Sequence, residues 1–368
     1  MTKETALSRF DAWFSDDGPA ALVLIEQLQP VGGDESAIFP PTYAPEQGSS
    51  NKKSEYVIDQ LKDGRSICQI DSVGSQANRM EPMFKSPLYS ELVPQVEIEA
   101  GTQRVNLLDA GHRAADAIVR FSSLKAQIEA AFKDWLSGDA SKLAKLAPTS
   151  LVFGAWDSRS TQAKAPRIVS SIIRAYDVEV IHRSAQYSPP LEYTPEILGK
   201  DAGLTDDQKS EFGLTHVPAP MALGGVLVKG DIRREAILNL VALRTLGVLK
   251  DGHKLNEEET KKLRRYILGL ALVALTKPTS HNLRQGCLLV GIENKPAEWK
   301  LVHASGKREP FAMLHEEAMA YAKAAADEFG AKRDPIKGRF EPKLVKQATD
   351  EKAKEKEAKR ARSRGPKG

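Results

Sequence analysis

Two aspartates have the placement that phosphodiester chemistry asks for. Asp71 follows the apolar run Ile67 to Ile70, and Asp157 follows Leu151 to Trp156. Each closes a stretch that reads as a strand, where a carboxylate could hold a divalent cation with His281 assisting. N-capping and turn formation account for isolated aspartates more often. Other motifs stop one residue short of a function. Gly225 to Gly230 has the first spacing of a phosphate-binding loop, but Asp231 takes the place of its lysine and would repel a nucleotide. His315-Glu316 opens a zinc-protease pattern, and Met319 fills the position of the second histidine. The seven histidines lack ligand spacing, no Gly-x-Ser-x-Gly elbow occurs, and neither Cys68 nor Cys287 has the context of a nucleophile. The expectation is a chain that is not an enzyme, with no catalytic residue, metal or cofactor. The alternative is a metal-dependent endoribonuclease using Asp71 or Asp157.

Holding a polyanion needs donors and small residues rather than a reactive group, and four segments have that composition. In Asp71 to Glu81, helical spacing puts Val73, Ala77, Met80 and Phe84 on one side and Ser72, Ser75, Gln76 and Arg79 on the other, with Asn78 in the same run. Asp71 or Ser72 is a suitable N-cap, and the outward face carries no carboxylate. The loop 156–167 offers Trp156, Ser158, Arg159, Lys164 and Arg167. Gly224-Gly225 leads to Lys229, Arg233 and Arg234, and Thr279 to Gly286 contains His281, Asn282, Arg284 and Gln285. Each segment also has a plain reading: a capped surface helix, a core Phe153 or Trp156, a decorated helix start, a solvated turn. Jointly they favour binding over chemistry.

The elements that must carry these segments follow from periodicity. Strands are expected at Ala20 to Leu28, Ile67 to Ile70, from Leu151, at Ile168 to Arg174, Val178 to His182, Gly286 to Glu293 and Trp299 to His303. Helices are expected at 109–122, 124–136, 231–246, 256–275 and 312–329, the fourth opening on Asn256 and Glu259. Val31 to Ser54 reads as a Gly/Pro/Ser-rich insertion, and the proline-rich stretch from Tyr187 to Gly225 as a protruding arm. The irregular alternation predicts an α+β fold with insertions, one elaborated domain over 1–342.

The charge lies in the tail. Residues 343–368 hold ten Lys or Arg against four Asp or Glu, a net of +6, whereas the whole chain carries +4, so the body stands near −2. A polyanion must therefore be held by local arginines, amides and hydroxyls. The tail reads as a disordered basic extension. No apolar run approaches the roughly 18 residues of a membrane span, and two cysteines suit a reducing, cytoplasmic setting.

The string Asp71-Ser-Val-Gly-Ser-Gln-Ala-Asn-Arg-Met-Glu81, preceded by Leu28-Gln-Pro30 and Phe39-Pro-Pro-Thr-Tyr43 and followed by Leu151-Val-Phe-Gly-Ala-Trp-Asp-Ser158, resembles the backbone subunit of type I-G (formerly I-U) CRISPR surveillance, or Cascade, complexes of the RAMP superfamily. The resemblance spans about residues 20–325. It implies a modified RRM-like, ferredoxin-like palm with inserted finger and thumb elements, oligomerising along a guide RNA and presenting it for pairing with target DNA. Its partners would be the guide, further copies of itself, and the large and handle-capping subunits. By that analogy the 71–81 helix contacts guide phosphates, the arm about 187–222 is a thumb reaching a neighbouring copy, and Met221 or Leu223 is an apolar wedge beside a flipped base.

Overall fold

Alternating burial identifies the strands of the central sheet, because successive side chains point to opposite faces. In the computed structural model, which describes residues 7–44, 55–199, 203–331 and 334–351, the principal strands are Ala21–Pro30 (β1), Ile58–Gln60 (β2), Ser66–Asp71 (β3), Val169–Tyr176 (β4), Val178–Tyr187 (β5), Val217–Val228 (β6), Ile232–Asn239 (β7), His281–Arg284 (β8), Cys287–Gly291 (β9), Glu298–Val302 (β10) and Arg308–Pro310 (β11). The sheet runs β8-β9-β1-β7-β4-β3-β2, with β10 also paired to β1 and β11 to β10. All of these pairings are antiparallel. The subset β9-β1-β7-β4, with helices in the β1–β4 and β7–β9 connections, is the βαββαβ order of a ferredoxin-like palm. The α+β, RRM-like expectation holds.

Between β4 and β7, where a plain palm has a tight turn, β5 and β6 form a separate two-stranded hairpin. Its root is stitched to the palm: Ile38 N donates to Val226 O at 3.0 Å and Val226 N to Ile38 O at 2.8 Å. Gly225 has φ +108°, and a Cβ there would sit 2.8 Å from Ile38 O, so only glycine fits the crossing.

One sheet face is covered by helices: Val73–Met80 (α1), Lys125–Leu136 (α2), Glu257–Thr276 (α3) and His315–Phe329 (α4). Asn256 caps α3 by accepting from Glu259 N at 3.2 Å, and Glu257, Glu258 and Glu259 complement the positive end of its dipole. Tyr266 of α3 stacks on Phe329 of α4 at 5.0 Å between centroids and donates to Leu92 O at 2.8 Å. On the covered face, Leu22, Leu24, Ala236, Leu238 and Val169 join the main core, whereas Leu28, Ile232, Ile173 and Ala175 join a second, smaller cluster with Ile38, Val226 and Leu289. Polar side chains lie between the two clusters.

Several expectations are corrected. Residues 232–239, read as part of a helix, form the central strand β7; only Leu240–Arg244 is helical. The inward positions are Ile232, Arg234, Ala236 and Leu238, and the buried arginine breaks the apolar alternation that marks a strand. Thr149–Phe153 is a helix rather than a strand; all five residues are buried, so neither period shows, and Gly154 at φ +81° turns the chain into the short strand Ala155–Trp156. The helix expected at 109–122 breaks into the turns Leu107–Asp109 and Arg113–Ala115 and the single turn Ala117–Arg120. The arm is more regular than expected, since its flanks are β5 and β6 and its loop carries the short helices Pro195–Leu198 and Asp206–Glu211. Residues 342–351 are helical, whereas the rest of the basic tail and residues 45–54 of the expected insertion lie outside the described residues. No helix among the described residues is long and apolar enough to cross a membrane.

Candidate nucleic-acid interface

The site grows from the end of β3. Ser72 leaves the strand with extended backbone and accepts from Ser75 N at 3.2 Å, opening α1 as its N-cap. Asp71, 1 % exposed, lies beneath the new helix and collects donors. Ser75 Oγ reaches its Oδ1 at 2.8 Å, Gln76 Nε2 and Arg79 Nε reach Oδ2 at 2.7 and 3.1 Å, and Arg284 Nη2 reaches Oδ1 at 3.3 Å. The helix face is free of carboxylates, as expected, but a buried carboxylate organises it.

This arrangement corrects the expectation for Gln76. Its side chain turns inward at 3 % exposure and accepts from Ser171 Oγ at 2.9 Å. Ser171 Oγ in turn accepts from Arg234 Nε at 3.2 Å, and Arg234 Nη1 donates to Glu26 Oε2 at 3.2 Å. His281, also buried, places Nε2 3.4 Å from the same Glu26 oxygen. Burial alone would push Glu26 up, yet His281 and Arg234 hold its carboxyl below the ordinary value. This polar belt separates the two apolar clusters and ties α1 to β1, β4, β7 and β8. Arg79 completes the tie to β8 by donating from Nη2 to Leu283 O at 2.6 Å, and Arg284 Nη2 also donates to Ile70 O at 3.0 Å.

Above the belt, α1 and the segment 277–283 enclose a cleft of about 310 Å³, lined by Asn78, Arg79, Arg234, Lys277, Thr279 and His281 among others. Asn78, Arg79 and Asn282 are exposed at or near its mouth, and Ser72 and Ser75 are half-buried. Two of the expected segments, 71–81 and 279–286, are thus brought together. Gln285 sits exposed at the β8–β9 turn.

The loop 156–167 forms a small hairpin in which Ala155–Trp156 pairs with Lys164–Ala165. Trp156 is 59 % exposed, with the Lys164 ammonium 5.8 Å from its ring centre, so it is a surface platform and Phe153 is the core residue. Asp157 is buried and accepts from Thr161 N and Oγ1 at 2.9 and 2.8 Å, a turn-forming role. Ser158 is half-buried, its carbonyl taking Gln162 Nε2 at 2.7 Å, and Arg159 and Arg167 are exposed.

The third segment is not assembled with the others. Arg233 alternates to the face opposite Arg234 and stacks over Tyr176 at 4.1 Å, and Lys229 stands at the hairpin root 3.6 Å from Glu179. Met221 on β6 has φ +55° and is 64 % exposed, whereas Leu223 is half-buried. Glu26, Ser171, Glu81 and Arg113 escaped the sequence reading; of these only Glu26 carried a signal, the single charge in β1.

Residues 22–180, which hold β1, α1 and the Trp156 hairpin, match a family model described as CRISPR-associated protein GSU0053. The match supports a CRISPR-associated protein. It covers somewhat under half of the chain and leaves out α3, β8 and most of the hairpin arm. No curated protein matches the chain.

Proposed function

We propose that the chain is a non-catalytic guide-RNA-binding backbone subunit of a type I-G CRISPR surveillance complex, assembling in several copies along the spacer and presenting it to target DNA. The observation that carries this reading is the cleft between α1 and residues 277–283, where amide, hydroxyl and guanidinium donors converge within and beside the segment similar to a CRISPR-associated family. Such a surface handles backbone and shape while base pairing supplies sequence selectivity. The hairpin arm supports self-assembly: Tyr187, Phe212 and Met221 are exposed apolar side chains along it. Large and handle-capping subunits would complete the assembly. Asp71 and Asp157, the residues of the ribonuclease alternative, are both occupied as acceptors inside their own folds.

The test is copurification with a guide. Arg79→Ala and Lys277→Glu should lower the 260/280 absorbance ratio and the RNA mass per copy; the urea midpoint should change little in Lys277→Glu and fall in Arg79→Ala, which also takes a charged partner from the buried Asp71. Variants that retain as much RNA as the parent would show that the cleft is misassigned. Incubation with Mg²⁺ or Mn²⁺ should leave bound guide and complementary RNA intact; metal-dependent products lost in Asp71→Asn or Asp157→Asn would favour the ribonuclease.

A further inference from the structure

Beneath α1 lies a buried ion pair that belongs neither to the polar belt nor to the cleft. Glu81 ends α1 as its C-cap at 1 % exposure, and Arg113, at 4 %, places Nε 2.7 Å from Glu81 Oε2. The rest of the guanidinium divides between two elements. Nη1 donates to Gly154 O at 3.2 Å, Nη2 donates to Asn78 Oδ1 at 3.1 Å, and the plane lies over the Phe153 ring at 5.4 Å. Asn78 belongs to the polar face of α1, and Gly154 leads directly into the Trp156 hairpin. With its oxygen taken by Arg113, the Asn78 amide is left to present its NH₂ group as a donor. Arg113 also holds φ +54°, a left-handed conformation that a side-chain-bearing residue keeps only when its surroundings require it.

A planar fork can reach a carboxylate, a carbonyl and an amide at once, which the single ammonium of lysine cannot. We propose that Arg113, pinned by Glu81, is a positioning residue that sets the spacing between α1 and the Trp156 hairpin so that both meet one RNA strand. The proposal rests on the reading of those segments as RNA contacts. Arg113 itself touches no RNA.

The pair's own chemistry supplies a readout. Burial pushes the Glu81 carboxyl up to about 7 against the pull of Arg113 and the facing Thr149 hydroxyl, with Asp109 adding repulsion; Arg167 repels the Arg113 charge. A charge-assisted contact is roughly twice as strong as a neutral one, so the fork is held most firmly when Glu81 is ionised. The stability term runs the other way. A carboxyl whose folded value lies above its unfolded one favours the fold at low pH and loses that contribution as pH rises through about 7.

The experiment measures guide-RNA affinity and urea stability of the full chain for wild type, Lys277→Glu, Arg113→Lys and Glu81→Gln between about pH 8 and about pH 6. Arg113→Lys is expected to bind roughly tenfold more weakly than wild type, the scale of one lost hydrogen bond to a charged group. Wild-type affinity relative to Glu81→Gln should fall as pH drops through neutrality, while wild-type stability relative to that variant should rise. A folded Arg113→Lys with wild-type affinity, or parallel affinity profiles for wild type and Glu81→Gln, overturns the proposal. Should Arg113→Lys fail to fold, the Glu81→Gln profile decides. Loss of RNA by Lys277→Glu without any effect at Arg113 or Glu81 defeats the positioning role alone, whereas an unaffected Lys277→Glu defeats the RNA reading beneath it.

Discussion

Asp71 gathers four donors from α1 and β8, and its removal would strand them. Asp71→Ala should destabilise the chain by about 3–5 kcal/mol, measured as a shift in urea unfolding, since it leaves Arg79 and Arg284 without their shared carboxylate. Gln76→Ala should also cost stability rather than RNA affinity alone, because the amide bonds Asp71 and reaches Ser171 across 95 residues of chain. At Glu26, the depressed carboxyl contributes stability that is complete above its ordinary value of 4.5 and is lost as pH falls below it. The stability gap between wild type and Glu26→Gln should therefore close under acid, as followed by urea midpoints from neutral pH downward. At this scale the sequence disclosed what is local. Ser72 as N-cap and the grouping of Ser75 and Arg79 follow from helical spacing, whereas Ser171, which helps draw Gln76 inward, lies on β4 and has no spacing to betray it.

The helices α3 and α4 pack where glycine permits it. A Cβ at Gly269 would sit 2.8 Å from Ala322 Cα, a backbone atom that cannot step aside. Gly269→Val should cost on the order of 1–3 kcal/mol by forcing the helices apart, read from the thermal midpoint, with α1 and its cleft left in place. α3 was legible from its boundary signals, Asn256 before it and Pro278 after it, although Arg265 to Leu275 are buried on every side, and α4 from its periodic apolar positions. β7 was not legible. A strand that carries arginine at an inward position and two more charges beside it matches a helix start on local grounds, and only its neighbours β1 and β4 explain why Arg234 is worth burying. The Thr149–Phe153 turn fails for the opposite reason, since uniform burial erases any pattern.

Across the whole molecule, the near-neutral body limits how much of the proposed RNA binding can be electrostatic. With about three cations per copy on the backbone, the affinity should fall with log salt at a slope near −2, shallower than for a globally basic binder, and a fluorescence titration across salt concentrations checks it. The α+β class followed from element alternation and the ferredoxin-like palm from the resemblance, whereas the interruption between β4 and β7 by the hairpin was visible only as lost periodicity. That hairpin enters the palm through Ile38 and Val226, which exchange two backbone hydrogen bonds and sit in the smaller apolar cluster beside the polar belt. Its ladder slips register at Ile181/His182 and again at Arg183/Ala185, outward of that clasp. The limb therefore has a fixed shoulder and a yielding elbow: a pull at the tip would bend the outer strands first, and any load that reached the shoulder would press on the packing next to Asp71.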